Sequence, residues 1–295
     1  MEKYSIFHIE GGIGKHVAAT AVAKAIANNH KDRKLVIVCA WPEVFLNLPF
    51  VWRVYRIGTT PYFWEDYIKG GNSLIFKHEP YFTTEHINGK LDLIQNWCKL
   101  YGLKYKGELP EIKFNIRQST LYSRKWTREK PIMVIQTNGG PLTEQPYPYS
   151  WTRDIPKPLA QAIVNQYKED YHIIQICRND ANILEGVEVQ KETMDNMELF
   201  YLLNMSSKRV LIDSCLQHAA VALNLPSVVL WVATNPKLFG YDIHNNIVAN
   251  LDSQIPLPNS YLFDYNFHGQ IWECPIFEGD ILFNIDEIVQ KIDNL

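Results

Sequence analysis

The sequence predicts an α/β protein of two Rossmann-like domains that face each other across a cleft. Three observations carry this. Short apolar strand-like runs alternate with helical patterns along nearly all of the 295 residues, as in parallel sheets covered on both faces. The length suits two domains of ordinary size. The alternation also breaks once, in a polar, basic stretch at residues 116–130, and restarts after Pro131. A division at that break gives an N-terminal domain of residues 1–125 and a C-terminal domain of 126–295, with the last helix expected near the hinge.

The first series opens with "SIFHI", an alternating run in which Tyr4, Ile6 and Ile9 mark a strand. A glycine turn follows, then a helix of small and apolar residues from near Lys15. "KLVIVCA" is a strongly apolar strand, "SLIFKHE" a further strand, and "LDLIQNWCKLYGL" a helix that Gly102 ends. The second series runs "IMVIQTNGG" (strand and loop), "PLAQAIVNQYKED" (helix), "YHIIQICR" (strand) and "MDNMELFYLLNMS" (helix). It continues with "RVLIDS" (strand), "LQHAAVALNL" (helix) and "SVVLWVA" (strand), and closes on the amphipathic "NIDEIVQKIDNL".

Composition narrows the class. A hydrophobic share of 46% with 21% charged residues is that of a soluble globular protein. A net charge of −3 gives no reason to expect a general polyanion binder. The basic "YSRKWTREK" (122–130) reads first as a solvated linker. Five cysteines, at 39, 98, 177, 215 and 274, show no C-x-x-C pair, which points to reduced thiols in a cytoplasmic protein. No apolar run follows a basic N-terminus, so no signal peptide is expected. No apolar stretch approaches the ~18 residues that span a bilayer.

In such sheets ligands bind where strand C-termini meet helix N-termini. That selects the loops Glu10–Lys15, Lys77–Glu79, Thr137–Gly140, Arg178–Asp180 and Asp213–Gln217. The first of these, in "HIEGGIGKHVAAT", invites a nucleotide-triphosphatase reading that its residues do not support. Where a P-loop has a magnesium-binding Ser or Thr after its lysine, this chain has His16, and the spacing of the glycines also fails. What remains is a glycine turn that lets a ligand approach backbone and helix terminus.

The stretch "RVLIDSCLQHAAVALNLPSVVLWVATNPKLFGY" (209–241) resembles the signature of glycosyltransferase family 9, the ADP-heptose:lipopolysaccharide heptosyltransferase-like family. Asp213, Ser214, His218, Ala219, Ala222, Leu223, Pro226, Val229, Leu230, Thr234 and Pro236 match it. The family's G-x-I-G-D turn is similar to Gly11-Gly12-Ile13-Gly14-Lys15, its second-domain glycine loop to Gln136–Gly140, and its K-x-W-P segment to Tyr149-Ser150-Trp151. The resemblance implies a GT-B-like fold and sugar transfer from a nucleotide-sugar donor to a hydroxyl acceptor, without a separate cofactor. Three departures mark a divergent member with another sugar. The family's proposed base is Lys15 here, the lysine of K-x-W-P falls on Tyr149, and D-S-G-P has become Asp213-Ser214-Cys215-Leu216.

Inverting transfer needs a base for the acceptor hydroxyl and positive groups for the departing nucleoside diphosphate. No two aspartates stand two residues apart, so a metal-independent site is expected, with no metal ligands assigned. Lys15 and Arg178 are the candidate cations, beside the amides at the helix start after Asp213. Glu10, His78 and Glu79 are the candidate bases. The donor is expected against Gly12, Gly14, Asn138 and Gly139, with Asp213, Ser214, Cys215 and His218 opposite. The dense aromatic run "WRVYRIGTTPYFWEDYI" (52–68) reads as packing of a long connection or as a stacking rim. The acceptor is expected to be a glycan, a lipid-linked glycan or a modified nucleic acid. Two other readings are a phage-type DNA-base glycosyltransferase of the same fold and a non-catalytic nucleotide-sugar-binding protein.

Overall fold

The computed structural model of the chain describes residues 2–139, 153–177, 183–190, 194–232, 234–250 and 281–295. Four strands from the N-terminal part form one sheet: β1 (Tyr4–Ile9), β2 (Lys34–Cys39), β3 (Arg53–Arg56) and β4 (Ser73–Phe76). All are parallel, in the order β3-β2-β1-β4. The chain therefore steps outward from β1 to β3, then returns to β1's other side. Such a reversal leaves a crevice at the C-terminal ends of β1 and β4.

Helix α1 (Ile13–Asn29) lies on the inner face of this sheet. Its residues Val17–Ala23, with Ala25 and Ile26, are all buried, because neighbours cover it on several sides. Small alanine side chains allow those neighbours to come close. After the short α2 (Thr84–Ile87), α3 (Leu93–Leu100) packs beside α1 through Leu93, Ile94, Trp97 and Cys98. Asp92 caps α3 by accepting the Gln95 N–H at 2.8 Å, satisfying one of the amides a helix start leaves free.

The second sheet comprises β5 (Ile132–Gln136), β6 (His172–Ile176), β7 (Glu188–Gln190), β8 (Ser206–Ile212), β9 (Val228–Trp231) and β10 (Asn245–Val248). It is also parallel, in the order β10-β9-β8-β5-β6-β7, and reverses between β5 and β8. Strand alternation sorts its side chains. Ile132, Val134, Leu211 and Val229 face a core shared with Phe7, α1 and Trp97, whereas Met133, Ile135, Val210 and Leu230 face a second core. The first core is thus continuous across both sheets. Helices α6 (Asn196–Met205) and α7 (Cys215–Ala222) bridge them, and α7 packs directly along α1.

Two expectations differ from what is seen. The basic stretch expected to be irregular is a helix, α4 (Ile116–Trp126), with a capping box between Asn115 and Gln118. Tyr122 and Trp126 are buried against α6, where Tyr122 Oη donates to Asp195 at 2.7 Å and Trp126 Nε1 donates to Glu198 at 3.1 Å. Lys125 and Arg128 are paired with Glu198 and Glu188, so part of the basic cluster is neutralised within the fold. The last helix, α9 (Ile285–Asp293), was expected near the hinge. It lies in the second core with α5 (Lys157–Tyr167), on the face of the sheet away from α4, α6 and α7. Ile288 and Ile292 are its anchors, and Tyr167 Oη donates to Asp293 at 2.8 Å. Between α7 and β10 stands one further short helix, α8 (Pro236–Phe239). No helix among the described residues is long and apolar enough to cross a membrane.

Candidate active site

The first switch point brings the loops after β1 and β4 together. Gly11 has φ +90°, a conformation that side chains rarely adopt, and a Cβ there would lie 2.8 Å from Lys15 Cε and Nζ. Glycine at this position lets the Lys15 side chain fold back over the turn. Its ammonium donates to Glu79 Oε1 at 2.6 Å and stands 5.5 Å from the centre of the Tyr81 ring. The pair is half-sheltered from solvent, so its attraction is screened less than that of an exposed pair.

His16 explains why the hydroxyl position of a P-loop is a histidine here. The buried ring accepts the Ala40 N–H at Nε2 (3.2 Å), which leaves Nδ1 to donate to the Gly12 carbonyl at 2.9 Å. It ties the end of β2 to the glycine turn, and burial lowers its pKa. Trp41 Nε1 donates to the Gly11 carbonyl at 3.0 Å and braces the same turn.

The other candidates from this domain sit farther out. Glu10 is exposed and lies 3.6 Å from His8 Nδ1. The His78 side chain is exposed, while its carbonyl accepts from Trp97 Nε1 (3.1 Å) and Tyr101 Oη (2.6 Å). Those two bonds fix the loop from which Glu79 reaches Lys15.

The second switch point, between β5 and β8, is a buried polar floor. Ser214 Oγ donates to Gln136 Oε1 at 2.6 Å, Gln136 Nε2 donates to the Asn138 carbonyl at 3.3 Å, and the Gly139 N–H donates to Asp154 Oδ1 at 3.1 Å. Ser214 also caps α7. Asp213 is buried, which raises its pKa, while Arg153 and the Thr234 hydroxyl act in the opposite sense. His218 is buried inside α7's network, 2.8 Å from Tyr241 Oη, and burial pushes its pKa down to about 3. At neutral pH it is an uncharged imidazole and contributes no cation.

The two switch points touch. A Cβ on Gly14 would lie 3.1 Å from Cys215 Cα and 3.3 Å from both Cys215 N and His218 Cδ2. The glycine turn is therefore packed against the start of α7, while the space above Gly12 is open. Arg178, Gly140 and Tyr149–Trp151 lie outside the described residues. Residues that sequence reasoning missed are Tyr81, Arg153, Asp154 and Tyr241. Arg153 had a signal, being a cation four residues after the Tyr149 that replaces the family's lysine. A groove of about 350 Å³ between α3 and residues 236–246 is lined by Tyr241 but by none of the site residues expected from the sequence.

No protein-family model and no curated protein sequence matches the chain. Solved structures do. A glycosyl transferase of family 9 from Veillonella parvula superposes with a TM-score of 0.67, covering 99% of this chain and 96% of its own, at 11% identity. The fold is that of family 9 glycosyltransferases. The E. coli ADP-heptose lipopolysaccharide heptosyltransferase II aligns with a TM-score of 0.63 over 83% of this chain and 89% of its own, at 11% identity. The E. coli heptosyltransferase WaaC with ADP gives 0.54 over 83% and 93%, also at 11% identity. The two parallel sheets are accordingly a GT-B-like pair.

Proposed function

We propose that the chain is a nucleotide-sugar glycosyltransferase that works by an inverting, metal-independent mechanism. One observation carries this above the others. The loops at the two switch points meet, so a charged pair and a helix start border one space. A donor diphosphate fits above the open Gly12 position, beside the Gly14–Cys215 contact, with Lys15 and the α7 amides as positive partners. Within the site expected between the Gly12–Lys15 turn and the helix after Asp213, this reading places the diphosphate above Gly12, since Gly14 and Cys215 are packed together.

The Lys15–Glu79 pair supplies an exchange. A diphosphate competes with Glu79 for the ammonium, which frees the carboxylate to accept a hydrogen bond from the acceptor hydroxyl. Glu79 then takes the acceptor's hydroxyl proton. The acceptor oxygen forms its bond to the sugar's anomeric carbon while the bond to phosphate breaks, and the electron pair leaves on the nucleoside diphosphate. Lys15, Arg153 and the helix start offset that developing charge. The site residues proposed are Lys15 and Glu79 for chemistry, and Gly12, Asn138, Gly139, Ser214 and Cys215 for the donor, with Glu10 and His78 at the acceptor side. Asp213 and His218 serve as buried supports of the donor face.

Lys15 stands where the resembling family has its proposed base, and it neutralises Glu79 in the resting structure. That observation favours one other reading, a non-catalytic nucleotide-sugar binder. A thermal-shift screen of nucleotide sugars identifies the donor, since a ligand stabilises according to its affinity. Release of nucleoside diphosphate with a hydroxyl acceptor then separates enzyme from binder. Loss of turnover in a chelator, restored by Mg²⁺ or Mn²⁺, would remove the metal-independent part.

A further inference from the structure

The aromatic run 52–68 divides into two sets of rings with opposite environments. The inner set anchors the β3–β4 connection on the outer face of the first sheet. Phe63 lies tilted at 43° to Tyr67, 4.8 Å away, and edge-on 5.8 Å from Tyr55, and Tyr67 meets Tyr4 at 5.0 Å. Tyr55 and Tyr67 share a hydroxyl hydrogen bond of 2.6 Å, to which Arg53 adds donors at 3.2 and 3.0 Å. The outer set does the reverse. Tyr62 is 74% exposed and Trp64 is 62% exposed.

Backbone geometry at the same place is unusual. Tyr62 has φ +56°, rare for a bulky residue. It is followed at once by a single π-helical turn, Trp64–Ile68, closed by the Lys69 N–H donating to the Trp64 carbonyl at 2.7 Å. Left-handed strain and π-turns both concentrate at functional positions. Here the anchored inner rings hold the strained turn in place, and the result is two large rings presented to solvent.

The surroundings define what those rings fit. Glu65 and Asp66, also exposed, follow Trp64 directly. Aromatic faces take the C–H faces of sugar rings, and carboxylates accept hydrogen bonds from hydroxyls. A phosphodiester chain, by contrast, meets two negative charges beside Trp64, with Lys69 the one cation of the same turn. The platform also adjoins an uncovered floor. By strand alternation and register, His8 and Ile75 share the outer face with Ile6 and Tyr67, and Ile75 is 57% exposed. That floor leads to the C-terminal ends of β1 and β4, where Glu10 lies 3.6 Å from His8 and the charges of Lys77 and Glu79 also act on it.

We propose that Tyr62 and Trp64, with Glu65 and Asp66, form a saccharide-binding platform, and that the acceptor is a glycan lying across it toward Glu79. The acceptor assignment rests on the glycosyltransferase reading, whereas the platform stands on its own residues. It favours a glycan over the modified nucleic acid among the acceptor classes.

The test uses the full chain labelled with ¹⁵N and follows the Trp64 indole N–H signal, assigned through Trp64→Phe. Short oligosaccharides of glucose, galactose, mannose and N-acetylglucosamine are titrated in, and a DNA duplex in parallel. At least one saccharide is expected to move the Trp64 signal and DNA to leave it in place. Stacking on a ring is worth enough that Trp64→Ala should weaken that saccharide roughly tenfold or more. Tyr62→Ala and the isosteric Glu65→Gln/Asp66→Asn pair should weaken it too. Nucleotide-sugar stabilisation in the thermal-shift screen should be unchanged in all of them. If no saccharide moves the signal, if the variants bind as the unmodified chain does, or if DNA moves it instead, the platform is wrong. If saccharides bind there but no nucleotide sugar stabilises the chain, the platform stands and the glycosyltransferase reading falls.

Discussion

The two switch points have the same topology and opposite chemistry. At the first, between β1 and β4, the loops carry a partly exposed ion pair, Lys15–Glu79, on a turn held open by Gly11 and Gly12. At the second, between β5 and β8, the side chains of Gln136, Asn138, Asp154 and His218 are buried. Gln136 is bonded to Ser214 and the Asn138 carbonyl, Asp154 to the Gly139 N–H and His218 to Tyr241, and His218 is neutral. A group that changes its charge or partner during a reaction needs room and a weakly committed partner. A group that orients a ligand needs the opposite, a fixed position with its bonds already made. In the proposed glycosyltransferase reading, proton transfer and charge exchange fall to the first domain and orientation of the donor to the second.

The largest expected effect tests the reactive side. Glu79→Gln keeps shape and removes the basic carboxylate, so turnover should fall by about a hundredfold or more with donor affinity nearly intact. Glu10→Gln and His78→Ala, measured alongside, should cost far less; a reversal of that order moves the base outward. Lys15→Ala should weaken both donor binding and turnover, while Lys15→Arg retains part of each, because either cation serves a phosphate.

Next comes the contact between the two regions. A side chain at Gly14 must enter a space already closed by the Cys215 backbone. Gly14→Val should therefore lower stability by about 1–3 kcal/mol, the usual cost of overpacking, and reduce turnover by parting the two loops. Gly12→Ala is the control, since nothing lies within 4 Å of a Cβ there and its φ is −71°. Equal melting temperatures for the two variants would show that the domains do not depend on this contact.

The orienting side should show itself in pH dependence. Burial lowers the pKa of His218 to about 3 and that of His244 to about 4, and in the first domain it lowers that of His86 on α2 to about 4 as well. Each is neutral in the folded chain over a range where the unfolded chain binds a proton. Stability is then full above pH ~6.5, the ordinary histidine pKa, and falls as pH drops toward 4, by up to about 1.4 kcal/mol per pH unit for each group. Melting temperatures from pH 7 to pH 4 check this, and His218→Gln should flatten the slope. A melting temperature constant over that range contradicts the burial argument. The smallest effect is expected at the surface pair Lys125–Glu198, where Lys125→Ala should change stability by less than ~1 kcal/mol.

Much of this was legible in the sequence, and the omissions have physical causes. Strand–helix alternation located the main strands of both sheets, and glycine and Asp-Ser motifs located both switch-point loops. The meeting of Lys15 with Glu79 was not legible, because it depends on β4 returning to β1 instead of continuing beyond β3. Local pattern does not encode that crossover. His218 was assigned to the donor because its motif position is on α7, whereas its partners Tyr241 and His244 come from a later segment. Helix α4 was readable and was missed. Its basic residues disguised a face of Tyr122 and Trp126, although Asn115 and Gln118 formed a visible capping pair. The aromatic run was read as one unit, and only the structure separates its buried rings from its exposed ones.

The central claim is that the donor diphosphate binds where the two switch points meet and draws Lys15 from Glu79. A crystal structure of the chain with the nucleotide sugar chosen by the stabilisation screen tests it most directly. The account predicts the diphosphate above Gly12, within hydrogen-bonding reach, roughly 3 Å, of Lys15 Nζ and of the start of α7, with Glu79 turned free toward the acceptor side. A nucleotide lodged instead in the groove between α3 and residues 236–246, or a diphosphate in place with Lys15 still bound to Glu79, would contradict it.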